Sequence, residues 1–274
     1  NYIRMMSHTA AVNVGIFFAI RGRVYPTSSA CTSGSQGIGY AFEAIQSGKQ
    51  TVMLAGGAEE LCPSEVAVFD TFRSASRKND TPELTPSPFD VSRDGLVIGE
   101  GAATLVLEEL EHARARGATI YAEVVGFGTN ADGNHATLPD ADSMQVAMQL
   151  ALDDAGIKSA DIAYINAHGT ATGFGDIAES QATAAVFGDS VPISTQKGHI
   201  GHTLGASGAI ESLVSIHCLR EGWAPPTLHL NQPDPECSPL DYIMAETRAI
   251  SGDYVACHNF AFGGINTALI FRRI

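Results

Sequence analysis

Ile162-Ala163-Tyr164-Ile165-Asn166-Ala167-His168-Gly169-Thr170 sets the terms for the whole chain. An apolar run without polar alternation predicts a short buried strand over 162–165, and the chain leaves it directly at His168. The same pattern repeats on either side. Toward the C-terminus the spacing predicts a helix over 177–187, a strand over 193–195 leading to Lys197, and a strongly apolar helix over 206–219. Two strands over 254–260 and 267–271 then pair around Phe262-Gly263-Gly264. Toward the N-terminus come a helix over 143–155, with Val146, Leu150 and Ala147 facing inward, and a strand over 120–127. A charged helix over 108–116 ends at Gly117, after a strand over 102–107. Residues 73–99 hold Pro82, Pro86 and Pro88 and read as a long surface excursion. Before them lie a helix over 61–72 and a strand over 51–54. A helix over 36–47 puts Ile38, Ala41, Phe42 and Ile45 on one face and stops at Gly48. Alternating strands and helices with apolar strands indicate an α/β protein whose sheets are covered on both faces. Its sites are expected at strand ends.

The bulk properties narrow the function. The 274 residues are 45% hydrophobic and only 17% charged, with 28 glycines, so much of the surface is expected to be packed away, against another subunit for example. A formal charge of −14 argues against a nucleic-acid binder, which needs a basic face. Arg73, Arg77 and Lys78 still form a local basic patch for an acidic partner. Five cysteines without a C-x-x-C pair argue against a disulfide framework and for a reducing, cytoplasmic compartment. The apolar segment 10–20 is too short to span a bilayer. A start at Asn1 in mid-pattern reads as the remainder of a longer chain.

Three segments carry chemistry. Ser29-Ala30-Cys31-Thr32-Ser33-Gly34-Ser35 puts a thiol ahead of a helix, where unpaired N–H groups and the helix dipole favour thiolate and should bring its pKa toward working pH. His168 could act as acid, base or donor. Lys197-Gly198-His199-Ile200-Gly201-His202 adds a lysine and two further histidines. Several readings are open at this level. Ser28-Ser29-Ala30-Cys31 has the order of a lipoprotein processing site, against which Arg21, Arg23 and the lack of a leucine-like residue at position 28 argue. His199 and His202 with His168 or Cys31 could be a zinc set, although Gly198 and Gly201 favour a turn. A Cys-His protease explains one histidine and leaves Lys197 idle. Phe262-Gly263-Gly264 is either a plain hairpin turn or a source of N–H groups for an oxyanion.

Taken together, these segments resemble the β-ketoacyl-acyl-carrier-protein synthases, the elongating condensing enzymes. The motifs are Ala30-Cys31-Thr32-Ser33-Gly34, Ala55-Gly56-Gly57-Ala58-Glu59, Arg93-Asp94-Gly95, Asn166-Ala167-His168-Gly169-Thr170, Lys197 through His202, and Phe262-Gly263-Gly264, in order along the chain. The resemblance implies a thiolase-like α-β-α-β-α fold of two related halves, with 1–118 the remainder of the half carrying the nucleophile and 119–274 the half carrying the histidines. It implies a homodimer or a heterodimer with a related subunit, and a missing segment ahead of the cysteine.

The implied reaction is decarboxylative condensation of an acyl group on Cys31 with malonyl-acyl-carrier protein, in fatty acid or polyketide chain elongation. The partner is acyl carrier protein; no cofactor is bound covalently, and the carrier's phosphopantetheine delivers the substrates. The resemblance makes Cys31, His168, His202 and Lys197 catalytic, and gives Cys31 and Phe262 the oxyanion N–H groups, with Phe262 also the gate. It pairs Lys197 with Glu179, makes Asn166 and Glu211 supports for a structural cation or water, and no catalytic metal is implied. Thr170 and Thr172 contact the pantetheine arm, and Phe69 and Phe260 the acyl group. Departures are Gly173 where relatives have proline, Ala261 where they have glycine, and Ile265 where they have threonine. Alternatives from other classes are a noncatalytic chain-length-determining partner, which typically lacks the cysteine, and a CoA-dependent thiolase-like enzyme.

Overall fold

The computed structural model describes residues 6–274. Helix α1, Thr9–Phe17, buries none of its residues, and the exposed Ile16, Phe17 and Phe18 lie at its end. A 3₁₀ turn, Ala30–Thr32, leads into α2, Ser33–Gln46. Strand β1, Val52–Glu59, and helix α3, Pro63–Thr71, follow, and β2, Gly101–Glu108, returns antiparallel to β1. Helix α4, Leu110–Ala115, closes the first half. Then come β3, Glu123–Ala131; α5, Ala141–Ala155; β4, Ile162–Asn166; α6, Gly173–Phe187; and β5, Ile193–Ser194. After these stand α7, Lys197–Ile200; α8, Ser207–Glu221; the short pair β6, Trp223–Ala224, and β7, Arg248–Ala249; and finally β8, Tyr254–Phe260, and β9, Ile265–Arg272.

The main sheet has the order β3-β9-β8-β4-β5. Strands β4, β5 and β8 run parallel, while β9 is antiparallel to both β8 and β3. Helices α5 and α6 cover one face, with Met144, Met148, Ile165, Phe187 and Ile270 in the core between. Helices α2 and α8 cover the other, over Ile38, Tyr164, Leu219, Val255 and Leu269. The β1–β2 pair packs on the far side of α2 and α8. This is the layered α/β arrangement expected from the sequence, and the strand ends after β4, β5 and β8 converge beside the start of α2.

Element boundaries differ from the periodicity where glycines and hydroxyls intervene. Helix α2 starts at Ser33, three residues before the predicted start, because the Ser33 and Ser35 hydroxyls donate back to the Ala30 and Thr32 carbonyls. Its glycines are packing positions. A Cβ on Gly34 would stand 2.8 Å from the Ala209 nitrogen, and one on Gly39 would stand 2.4 Å from the Phe127 ring. Strand β1 runs on through Gly56 and Gly57 to Glu59 because the β2 partner continues opposite it.

Helix α5 is rotated from the predicted face. Val146 and Leu150 are 49% and 42% exposed, Ala147 is buried as expected, and Met144, Met148, Ala151 and Leu152 join it in place of the other two. The cause is a close approach to β3, where a Cβ on Gly126 would lie 2.3 Å from the Ala151 carbonyl and one on Gly128 would lie 2.0 Å from that of Ala147. Only a small-residue face fits there.

The 73–99 segment is likewise no surface excursion throughout. Its stretch 86–90 is buried. Phe89, fully enclosed at φ 62°, packs on Tyr242 with centroids 5.1 Å apart. Its N–H donates to Asp176 at 2.7 Å. A Cβ on Gly169 would come within 2.8 Å of the Phe89 ring, so Phe89 forms the floor beneath the loop after β4. Phe89→Ala is therefore expected to cost about 3–5 kcal/mol of folding stability, read as a lower urea midpoint with an unchanged slope.

Candidate active site

Cys31 is placed by a strained turn. Ala30 holds φ 51°, a left-handed conformation that costs a residue with a side chain. Ser33 holds the turn, donating to the Ala30 carbonyl at 2.7 Å and accepting from the Ser29 N–H at 2.9 Å. The thiol that results is 5% exposed. The N–H groups of Phe262 and of Cys31 itself aim at its sulfur. The expected approach of the thiol pKa to working pH does not occur. Burial pushes it up to about 11, and the Lys197 charge and the two N–H groups offset this only in part. Removal from water disfavours the anion more than the start of a helix favours it.

His202 approaches from the opposite side. The one-turn helix α7 ends at Gly201, whose φ of 72° reverses the chain, and His202 follows with Nε2 3.0 Å from the Cys31 sulfur. Its Nδ1 accepts the Leu204 N–H at 3.3 Å and lies 3.0 Å from the Ser207 hydroxyl. A neutral imidazole that accepts at Nδ1 carries its proton on Nε2, facing the thiol.

His168 has the same arrangement by another route. Its Nδ1 lies 3.2 Å from the Lys197 ammonium, which can only donate, so its proton also sits on Nε2. The two rings stand 5.1 Å apart, nearly perpendicular. Burial first, and then the Lys197 charge, hold both histidines well below the usual imidazole pKa, so they are neutral. The ligand atoms of Cys31, His168 and His202 lie within 4.8 Å of one another. With both Nε2 atoms protonated, though, this is a set of donors and not a vacant metal cage.

Lys197 is buried, and its ammonium is paired with Glu211 of α8, not with the expected Glu179. A buried ammonium does need a carboxylate, but Glu179 is already committed. Its two oxygens accept the N–H groups of His168 and Gly169, each at 2.6 Å. Burial raises Glu179 to about 8 against those bonds. Asp176, which the sequence reading left unassigned, does the same for the next two residues. It accepts from the Thr170 and Ala171 N–H groups at 3.0 and 3.1 Å. Its signal was an acidic residue in the first turn of α6 with N–H groups available just upstream. Asn166 donates to the Glu211 carbonyl and the Ser215 hydroxyl, both at 3.1 Å, so it ties β4 to α8. Glu211 is the counter-charge of Lys197 and not a support for an ion alone.

A cavity of about 480 Å³ opens in front of these groups, lined by Cys31, His168, His202, Thr170, Thr172 and Phe262 among others. Thr170 and Thr172 share a hydroxyl–hydroxyl bond of 2.9 Å on one wall. Phe260 stands edge-on to His168 at 6.0 Å, and Phe69 lies 5.6 Å from Phe262. Phe72, also unassigned from sequence, meets Phe262 at 6.4 Å. The turn after β8 is held by Ala136, whose carbonyl takes the Gly263 N–H at 2.8 Å. Arg73 lies exposed at the cavity mouth. His199 points away, with Nε2 3.0 Å from the Pro226 carbonyl.

Comparisons with known proteins agree with this geometry. Residues 2–113 match the family model "Beta-ketoacyl synthase, N-terminal domain", and residues 121–231 match "Beta-ketoacyl synthase, C-terminal domain". The chain is 42% identical to 3-oxoacyl-[acyl-carrier-protein] synthase 2 of Coxiella burnetii over 267 residues, covering 95% of this chain and 64% of that protein. It is 44% identical to the Rhizobium meliloti protein of the same name, covering 96% of this chain and 64% of the relative. The chain thus spans somewhat less than two thirds of the length of these curated relatives. A β-ketoacyl synthase from Burkholderia phymatum STM815 superposes with a TM-score of 0.99 at 63% identity, covering 100% of this chain and 67% of that one. A type II polyketide ketosynthase, AntDE, solved in complex with its acyl-carrier protein AntF, superposes with a TM-score of 0.95 at 34% identity, covering 100% and 68%. Fold, ordered motifs and converging side chains lead to one assignment: the chain belongs to the β-ketoacyl synthase family.

Proposed function

We propose that the whole protein is an acyltransferase that condenses an acyl group held on Cys31 with malonyl-acyl-carrier protein, giving a 3-oxoacyl-acyl-carrier protein and carbon dioxide. The observation that carries this reading is a buried thiol sharing one cavity with two neutral histidines that both present Nε2–H. In the first step the Cys31 sulfur attacks the acyl thioester, and its oxyanion is met by the N–H groups of Cys31 and Phe262. The C–S bond to the pantetheine breaks, and the carrier leaves as its thiol, taking up the proton that Cys31 gives up. Malonyl thioester then occupies the same cavity. Its C–C bond to the carboxylate breaks, carbon dioxide departs, and the electron pair becomes an enolate whose oxygen accepts from His168 and His202. The enolate carbon attacks the acyl-Cys31 carbonyl, and collapse expels the cysteine sulfur, which takes a proton from solvent.

Neutral donors suit this sequence, because they stabilise the enolate oxygen without handing its carbon a proton. Thr170 and Thr172 serve the pantetheine arm, with Phe69, Phe260 and Phe262 around the acyl group. Arg73 at the mouth is the leading contact for an acidic carrier. Residues 1–118 and 119–274 act as two halves of one catalytic unit. Exposed Val24 and Tyr25, together with the bare face of α1, favour a dimer, homomeric or with a related subunit. Five free cysteines fit a cytoplasmic setting, and no described helix is long and apolar enough to cross a membrane.

Three measurements test the assignment. Intact-mass spectrometry should show acylation of the protein and none of Cys31→Ala; a normal mass gain in the variant removes the nucleophile, and the noncatalytic-partner reading with it gains ground. His168→Ala should lower malonyl decarboxylation by about 10²–10³, the usual loss with an oxyanion donor. The unsubstituted protein should hold that rate as pH falls through about 6.5, since both histidine pKa values are depressed and the donors stay neutral there. Carbon dioxide release unchanged in His168→Ala ends its role. Finally, Lys197→Met removes the positive charge that lowers the Cys31 pKa, so alkylation of Cys31 by iodoacetamide should slow about tenfold at mildly alkaline pH. An unchanged alkylation rate would show that Lys197 has no hold on the thiol.

A further inference from the structure

Asn259 has no part in the chemistry described so far, yet it closes the polar network behind it. It is fully buried on β8, one residue before Phe260. Its Nδ2 donates to Glu211 Oε2 at 2.6 Å and lies 3.5 Å from His168 Nδ1. Glu211 therefore spends one oxygen on Lys197 and the other on Asn259. The Asn259 backbone is anchored in turn. Its carbonyl accepts from the Thr267 hydroxyl at 3.1 Å, which lies 2.7 Å from that of Ser35, and Ser35 donates to the Thr32 carbonyl at 3.0 Å. One polar chain thus runs from the turn that holds Cys31 to the back of His168.

The arrangement excludes a competing one. A neutral imidazole beside a carboxylate has an alternative tautomer, in which Nδ1–H donates to the carboxylate and Nε2 is left bare. Glu211 is the carboxylate that bonds both groups facing His168 Nδ1, Lys197 and Asn259. The Asn259 amide bonds Glu211's second oxygen and stands 3.5 Å from His168 Nδ1, so on this side the ring nitrogen faces two donors, the Asn259 amide and the Lys197 ammonium, and not the carboxylate. We propose that Asn259 is a positioning residue that, together with Lys197, keeps His168 Nδ1 an acceptor and thereby keeps a proton on Nε2. The importance of that proton rests on the reading given under Proposed function; the tautomer itself does not.

The titratable groups facing Asn259 and His168 are Glu211 and Lys197, Glu179 of α6, His202, His258 of β8, and the Cys31 thiol. Only Glu211 and Lys197 bond the pair from behind. The first measurement is a nitrogen NMR spectrum of the resting protein labelled in its histidines, with His168 assigned by its loss in His168→Gln. The expected result is an Nε2–H tautomer for His168 in the unsubstituted protein and a growing Nδ1–H population in Asn259→Leu, which keeps the bulk and loses the donor. Asn259→Leu should also lose malonyl decarboxylation tenfold or more, a larger loss than in Cys31 acylation.

Asn259→Asp supplies a second readout. Its carboxyl can replace the amide donor only while protonated, so its decarboxylation rate should fall as pH rises across a window where the unsubstituted protein is flat. A role in packing alone would lower the melting temperature of both variants and leave tautomer and pH profile in place. The proposal is overturned by an Nδ1–H tautomer in the unsubstituted protein. It is equally overturned by a folded Asn259→Leu with the original tautomer and rate, or by an Asn259→Asp whose profile keeps its shape. If Asn259→Leu does not fold, the spectrum of the unsubstituted protein and the Asn259→Asp profile still decide. Because the tautomer is read without turnover, a failure of the enolate reading, seen with His168→Ala, is distinct from a failure of this one.

Discussion

The Lys197 ammonium, taken out of water and set between a carboxylate and an imidazole, is the constraint to which the rest of the site answers. Burying it without a counter-charge would cost several kcal/mol, so α8 has to bring Glu211 to it. That fixes α8 against α2 and β8, and through them the turn that holds Cys31. The same charge suppresses protonation of both histidines and pulls the thiol pKa down against its burial. Burial is the larger cause at all three groups, and the one cation reinforces it at the histidines and offsets it in part at the thiol.

The other half of the architecture is backbone. Glu179 and Asp176 each grip two consecutive N–H groups of the loop after β4, so the position of His168 and of the Thr170 wall is set by main-chain bonds. Cys31 and Phe262 contribute N–H groups to the sulfur in the same way. Side chains with exchangeable roles are few. Most of the geometry is carried by turns with positive φ, at Ala30, Gly169, Ala171 and Gly201.

Much of this was legible before the coordinates. Apolar runs place strands over 162–165 and 193–195, each within one residue of the ends at 166 and 194 that deliver His168 and Lys197, because a strand buried on both faces announces itself by composition alone. Other features have no signature of that kind. The face that α5 buries depends on Gly126 and Gly128 of the preceding strand β3, and helical periodicity cannot see a partner's missing side chains. The Lys197–Glu211 pair is hidden for a similar reason. Sequence shows that a buried lysine needs an acid, while the choice between Glu179 and Glu211 is made by which one already serves backbone N–H groups. Asn259 is equally hidden, since its side-chain neighbours lie in the loop after β4 and on α8, and no local pattern names them.

The strand order carries a further consequence, for the order in which the molecule can be made. Strands β8 and β9 are the last of the described elements to leave the ribosome, yet they occupy the middle of the sheet, between β3 and β4. Until they arrive, the sheet has a gap at its centre, and the parts of α2, α5 and α8 that pack on β8 and β9 have nothing to close on. Cys31 and its partner His202 are separated by 171 positions, so the thiol is synthesised long before the groups that shield it. During that interval it is an ordinary exposed thiol with ordinary reactivity. Its burial, its raised pKa and its hydrogen-bond donors are acquired together, in the final cooperative step that long-range contacts impose.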